Sequence, residues 1–87
     1  MPKQLMTASE IRDEINRRIA EEGRLPELFR ELRVTGPQSA DPKMLNRNWR
    51  VQVETSQRTT RQIPSDVFVI IRSIVNDVGR EYDCSDW

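Results

Sequence analysis

With 87 residues, 36% of them hydrophobic and 32% charged, the chain has material for one small core inside a solvated shell. Fourteen basic and fourteen acidic residues cancel, so no overall field draws the protein to nucleic acid or to a membrane surface. Histidine is absent and cysteine occurs once, which removes the commonest general base and metal ligand, the Ser–His and Cys–His nucleophile pairs, and any internal disulfide.

Residues 1–6 read as an N-terminal tail. Thr7-Ala8-Ser9-Glu10 then has the spacing of a capping box, and Met6 with Ile11 that of a hydrophobic staple. Ile11, Ile15 and Ile19 recur every four residues, Asp13/Arg17 and Glu14/Arg18 are acid-before-base pairs one turn apart, and Gly23 offers a C-cap. The prediction is a four-turn helix with a narrow apolar stripe. Leu25, Leu28, Phe29 and Leu32 keep helical spacing after Pro26, so one or two helical turns are expected at 26–30, followed by a short strand at 31–35. Gly36-Pro37, Asp41-Pro42 and Asn46 crowd the next segment with breakers, which predicts a long loop over 36–47.

Residues 48–55 alternate as a strand does, with Trp49, Val51 and Val53 on one face and Arg50, Gln52 and Glu54 on the other. Ser56-Gln57 reads as a turn into a second strand at 58–63, which would add Arg58, Thr60 and Gln62 to the polar face. After Pro64, with Ser65 as a candidate cap, Val67, Ile70, Ile71, Ile74, Val75, Val78 and Tyr82 share one arc of a long helix. Phe68 borders that arc, Val69 points outward, and Arg72, Ser73, Asn76 and Arg80 occupy the opposite side. Gly79 suggests fraying there. Residues 83–87 read as a C-terminal tail, whose Cys84 lies between carboxylates and is expected to be a solvated, unreactive thiol.

The expected architecture is therefore a single α+β domain over 1–87. In it, a two-layer arrangement packs a small antiparallel sheet of two or three strands against two long helices, in the order α-(α)-β-β-β-α. The last helix is expected to seal the sheet face bearing Trp49, leaving an arginine-bearing face wet.

Three scattered glycines form no phosphate loop, and no enzyme, cofactor or metal site is expected. Arginine outnumbers lysine twelve to two, and residues 34–63 carry a net +3 against −3 for residues 64–87. Arginine suits forked contacts to carboxylate and phosphate. Arg47, Arg50, Gln52, Arg58, Thr60 and Arg61 are the candidate partner-binding residues, with Trp87 as either a core residue or an interface anchor. The resulting expectation is a non-catalytic protein acting through protein–protein contact, as an adaptor, a subunit or an inhibitor of the kind phage and mobile elements encode, on a partner with an acidic patch. The second reading is nucleic-acid binding through the sheet arginines and the 36–47 loop. Double-stranded-RNA-binding domains share the order α-β-β-β-α, but they open the last helix with lysines, where Ser65-Asp66 would repel phosphate. A homodimer through exposed strand edges, or by burying Val69 and Trp87, fits either reading. No apolar run approaches a membrane span and no signal-like apolar core opens the chain, so a cytoplasmic location without membrane contact is expected.

Overall fold

The computed structural model describes residues 3–45, 47–54 and 64–86. The capping box forms as its spacing requires: Thr7 Oγ1 accepts from the Glu10 amide at 3.2 Å, while Glu10 Oε1 accepts from the Thr7 amide at 3.1 Å. The helix it opens, α1 (Ala8–Glu21), buries Ile11, Ile15 and Ile19 completely. It closes without a left-handed glycine. Glu22 is the C-cap in an extended conformation, and Arg30 Nε donates to the carbonyls of Glu22 and Leu25, both at 3.0 Å. Gly23 is thus a passenger, because a side chain from the following turn does the capping.

Arg30 belongs to a 3-10 turn at Glu27–Glu31, close to the expected helical turns. Strand β2 (Arg33–Ser39) follows and pairs antiparallel with β3 (Trp49–Glu54). The predicted loop over 36–47 is therefore corrected. Gly36 and Pro37 lie inside β2, at a register shift between Thr35 and Gln38. Gly36 takes φ +99°, a conformation that L side chains rarely adopt, and Pro37 supplies no amide where the ladder is interrupted. What remains of the connection is Ala40–Asp41, the one-turn helix α2 (Pro42–Leu45) and the approach to Trp49. The expected turn at 56–57 and the strand at 58–63 fall outside the described residues.

Helix α3 (Ser65–Glu81) buries Val67, Ile71, Ile74, Val75 and Val78, and leaves Val69 exposed as its phase demands. Pro64 rather than Ser65 occupies its N-cap position, and no side chain caps it. Gly79 does not fray the helix. Tyr82, expected to continue the stripe, instead turns extended (φ −138°, ψ 140°) and begins strand β4 (Tyr82–Cys84).

Both expected tails are corrected by that strand. Gln4–Met6 forms β1, which pairs in parallel with β4, Met6 opposite Cys84. Ser85 N donates to Met6 O at 2.8 Å, and the Asp86 carboxylate accepts from the first amide of α1, Ala8 N, at 2.9 Å, a favourable place for a negative charge. Cys84 is buried at 1% exposure, not solvated.

The fold is α+β, with two two-stranded sheets among the described residues, one antiparallel (β2–β3) and one parallel (β1–β4). The packing order differs from expectation. It is α1 that lies on β2, while α3 packs chiefly along α1 and faces β3 across a cleft. Leu25, Leu32, Val34 and Trp49 complete the core. The half-buried Asn16 of α1 fixes the helix to the ribbon, since its Oδ1 accepts from Val34 N at 2.8 Å.

Arginine joins the two long helices. Arg18 Nε donates to Glu14 at 2.8 Å and its Nη2 to Glu81 of α3 at 2.7 Å. Arg17 bonds to Glu14 and Glu21 rather than to Asp13. Hydrogen bonding from Arg17, against the cost of burial and with help from Arg18, holds the Glu14 carboxyl below its ordinary range. A carboxylate lowered in this way adds stability above its unfolded pKa of about 4.3, and that stability disappears as pH falls through the folded value. The parent protein should therefore lose more stability than Glu14→Gln between about pH 5 and about pH 3. Parallel denaturation midpoints for the two proteins over that range would remove the assignment.

Candidate functional site

Three consecutive residues, Arg47-Asn48-Trp49, carry the chain into β3, and each reaches a different neighbour. The Trp49 ring is fully buried, and its Nε1 donates to Tyr82 O at 3.0 Å. The Asn48 side-chain amide acts as a surrogate strand: Nδ2 donates to Cys84 O at 2.9 Å and Oδ1 accepts from Cys84 N at 2.8 Å. These bonds satisfy β4 on the side away from β1, where an unpaired buried backbone would be costly.

Arg47 turns the other way. Its guanidinium stacks 5.0 Å from the Trp49 ring centroid, Nε donates to Trp49 O at 3.0 Å, and Nη1 donates to Asn76 Oδ1 of α3 at 3.1 Å. No carboxylate among the described residues pairs with it. Burial accordingly lowers its pKa from the ordinary arginine value, the direction expected when a cation gives up water without gaining a counter-ion. Nη2 makes no hydrogen bond, yet no buried polar side-chain atom among the described residues lacks a partner. That nitrogen must therefore reach solvent.

Arg47 lines a cleft of about 650 Å³ together with Lys3, Met44, Arg72, Asn76, Gly79 and Arg80. Lys3 stands just before β1, Met44 lies in α2, Arg47 precedes β3, and Arg72, Asn76, Gly79 and Arg80 belong to α3. Among the described residues, four lining side chains are cationic and none is acidic. Lys3 and Arg80 each have a carboxylate at 3.5 Å, from Asp83 and Asp77 respectively. Arg72 pairs with no described residue. Arg47, Arg72 and Asn76 also line an adjoining depression of about 250 Å³, whose other walls are Val51, Val53, Phe68, Ile71 and Val75. A cationic cleft thus adjoins a largely apolar one.

Gly79 is what makes room. A Cβ built there would stand 2.6 Å from Arg47 Cδ, and Cδ is not the loose end of this side chain, because the guanidinium beyond it is held by two bonds and a stack. Gly79→Ala brings a gain in helix propensity of about 1 kcal/mol and a loss of Arg47 contacts worth about 1–3 kcal/mol. The expected outcome is a stability change within about 1–2 kcal/mol of zero together with displacement of the Arg47 Nε resonance in NMR spectra. An unmoved resonance would show that Arg47 does not depend on the missing side chain.

The expected partner-binding residues separate. Arg47 is in the cleft. Arg50 and Gln52 are exposed on the opposite face of β3, since they alternate with buried Trp49 and half-buried Val51 and Val53. Arg58, Thr60, Arg61 and Trp87 lie outside the described residues. The residues that join Arg47 were missed: Lys3 read as tail, Met44 as loop, and Arg72, Asn76 and Arg80 as a solvated helix face. The available signal was Gly79 on that face, a small residue one turn from Asn76 in an otherwise large-residue helix.

No cluster of three or more potential metal ligands occurs among the described residues, and no described helix is long and apolar enough to cross a membrane. Comparison with protein-family models, curated proteins and solved structures finds no match.

Proposed function

We propose that this is a non-catalytic binding protein of the cytoplasm whose cleft receives an acidic segment of another protein. The observation that carries the reading is the shared wall: Arg47 and Arg72 border both the cationic cleft and the aliphatic depression beside it. A segment in which Asp or Glu alternates with Leu, Ile or Val would satisfy both parts, with charge giving register and aliphatic burial giving affinity. A nucleic-acid backbone would use the four cations but leave the aliphatic wall uncovered. A second copy of the chain docked face to face would set cations against cations, so a symmetric homodimer would have to use another surface. An adaptor, a subunit and an inhibitor all fit a protein that works by occupying a partner's acidic segment.

The test titrates the protein with short labelled peptides that mix acidic and aliphatic residues, with all-acidic peptides, and with duplex DNA and RNA. The mixed peptides should bind most tightly. Arg72→Glu combined with Arg80→Glu should weaken them about 100-fold or more while leaving thermal unfolding nearly unchanged, because both side chains are exposed. Duplex binding that collapses between about 50 and 200 mM salt, with no peptide bound, would replace this reading with nucleic-acid recognition.

A further inference from the structure

The geometry points to a phosphate monoester as the group that the cleft takes at its Arg47 end, carried on a side chain of the acidic segment proposed above. The inference rests on that reading and refines it. Of the four cations in the lining, Lys3 and Arg80 have a carboxylate at 3.5 Å, while Arg47 and Arg72 have none among the described residues. Among the described residues, two guanidinium charges on neighbouring walls are therefore uncompensated. A carboxylate would neutralise one of them. A phosphate monoester brings between about −1.5 and −2 charges at neutral pH, and three strong acceptor oxygens, so it matches both.

Arg47 is also prepared for such a group. A free surface arginine loses rotamer freedom on binding an anion. Here the stack on Trp49, the bonds to Trp49 O and Asn76 Oδ1, and the space left by Gly79 have already fixed the guanidinium. Its Nη2 makes no hydrogen bond and reaches solvent, and Arg47 lines the cleft. Arg72, exposed on the preceding turns of α3, can close on the same anion from the other wall. The adjoining aliphatic depression would hold apolar residues flanking the phosphorylated one. Clustered arginines that pair with a phosphorylated side chain beside a shallow apolar subsite are a recurrent mode of peptide recognition.

The test uses three otherwise identical capped peptides of Asp and Leu whose central residue is Ser, Glu or phosphoserine, with inorganic phosphate as competitor, measured by calorimetry and amide NMR on the whole chain. The phosphoserine peptide should bind about tenfold or more tighter than the Glu peptide. Inorganic phosphate should displace it, with saturable shifts at the Asn76 and Gly79 amides. Arg72→Gln should cost about tenfold in affinity for the phosphoserine peptide and little for the Ser peptide, with unfolding unchanged. Arg47→Lys, which keeps the charge but not the planar fork, should also lower the preference. Equal affinity for the Glu and phosphoserine peptides would overturn the phosphate assignment and leave the acidic-segment reading intact. Saturable phosphate binding with all three peptides inert would overturn the segment reading and leave only an anion site. If neither phosphate nor any peptide shifted the cleft amides, both would fall.

Discussion

Trp49→Ala should leave little or no folded protein at ambient temperature. The ring is fully buried, and truncating a buried aromatic costs about 3–5 kcal/mol in lost burial and residual cavity. The same change orphans Tyr82 O, which accepts from the indole, at a further cost of about 1–3 kcal/mol. It also removes the surface on which Arg47 stacks. For a chain of this length the whole margin is on the order of 4–13 kcal/mol, so the sum consumes most or all of it. Trp49→Phe separates the contributions, because it keeps most of the apolar area and loses the donor. That variant should fold, with stability lower by about 1–3 kcal/mol. Urea unfolding followed by circular dichroism checks both. A Trp49→Ala midpoint near that of the parent would mean that the ring contributes little despite its burial.

Asn48→Ala should be the next most damaging exchange, although the residue is polar and outside every apolar stripe. Both functional atoms of its amide bond to the backbone of Cys84, a buried residue. Truncation leaves one N–H and one C=O without partners, for an expected loss of about 2–5 kcal/mol. Asn48→Asp discriminates further. The new carboxylate could still accept from Cys84 N, but its second oxygen would oppose Cys84 O, so the folded state should favour the protonated acid. Its folded pKa would then lie above the unfolded value of about 4, and the variant's stability should be greatest below that value and decline as pH rises through the folded pKa. A variant equally stable at acid and neutral pH would rule out the two-point clamp.

Features whose cause lies within a few residues of sequence were legible. The Thr7–Glu10 box, the isoleucine stripe of α1, the alternation around Trp49 and the wide apolar arc beginning at Val67 each follow from a local period or cap, and all occur in the structure. Features that depend on a distant partner were not. Gln4–Met6 has no pattern of its own and becomes a strand only because Tyr82–Cys84 lies beside it. Gly36-Pro37 reads as a stop, yet a bulge absorbs both residues, because Gln38 and Ser39 find partners in Arg50 and Trp49. Cys84 looked solvated among Asp83, Ser85 and Asp86, but strand geometry turns its side chain inward while leaving those neighbours outward or half-buried. The cleft was illegible for the same reason. Its cations come from the N-terminal stretch, from the middle of the chain and from a helix face that resembles an ordinary wet surface until Arg47 is laid across Gly79.

The parallel pairing of β1 with β4 also dictates when the protein can be finished. A chain extended only to Glu81 already contains every described helix and the β2–β3 ribbon. It lacks the acceptor for the Trp49 indole, the backbone that Asn48 clamps, the neighbour of Gln4–Met6 and the carboxylate at the start of α1. Consolidation must therefore await residues 82–86. Contacts this distant in sequence slow barrier crossing in small proteins, so the native state should form in one late step once residues 82–86 are available rather than piecemeal.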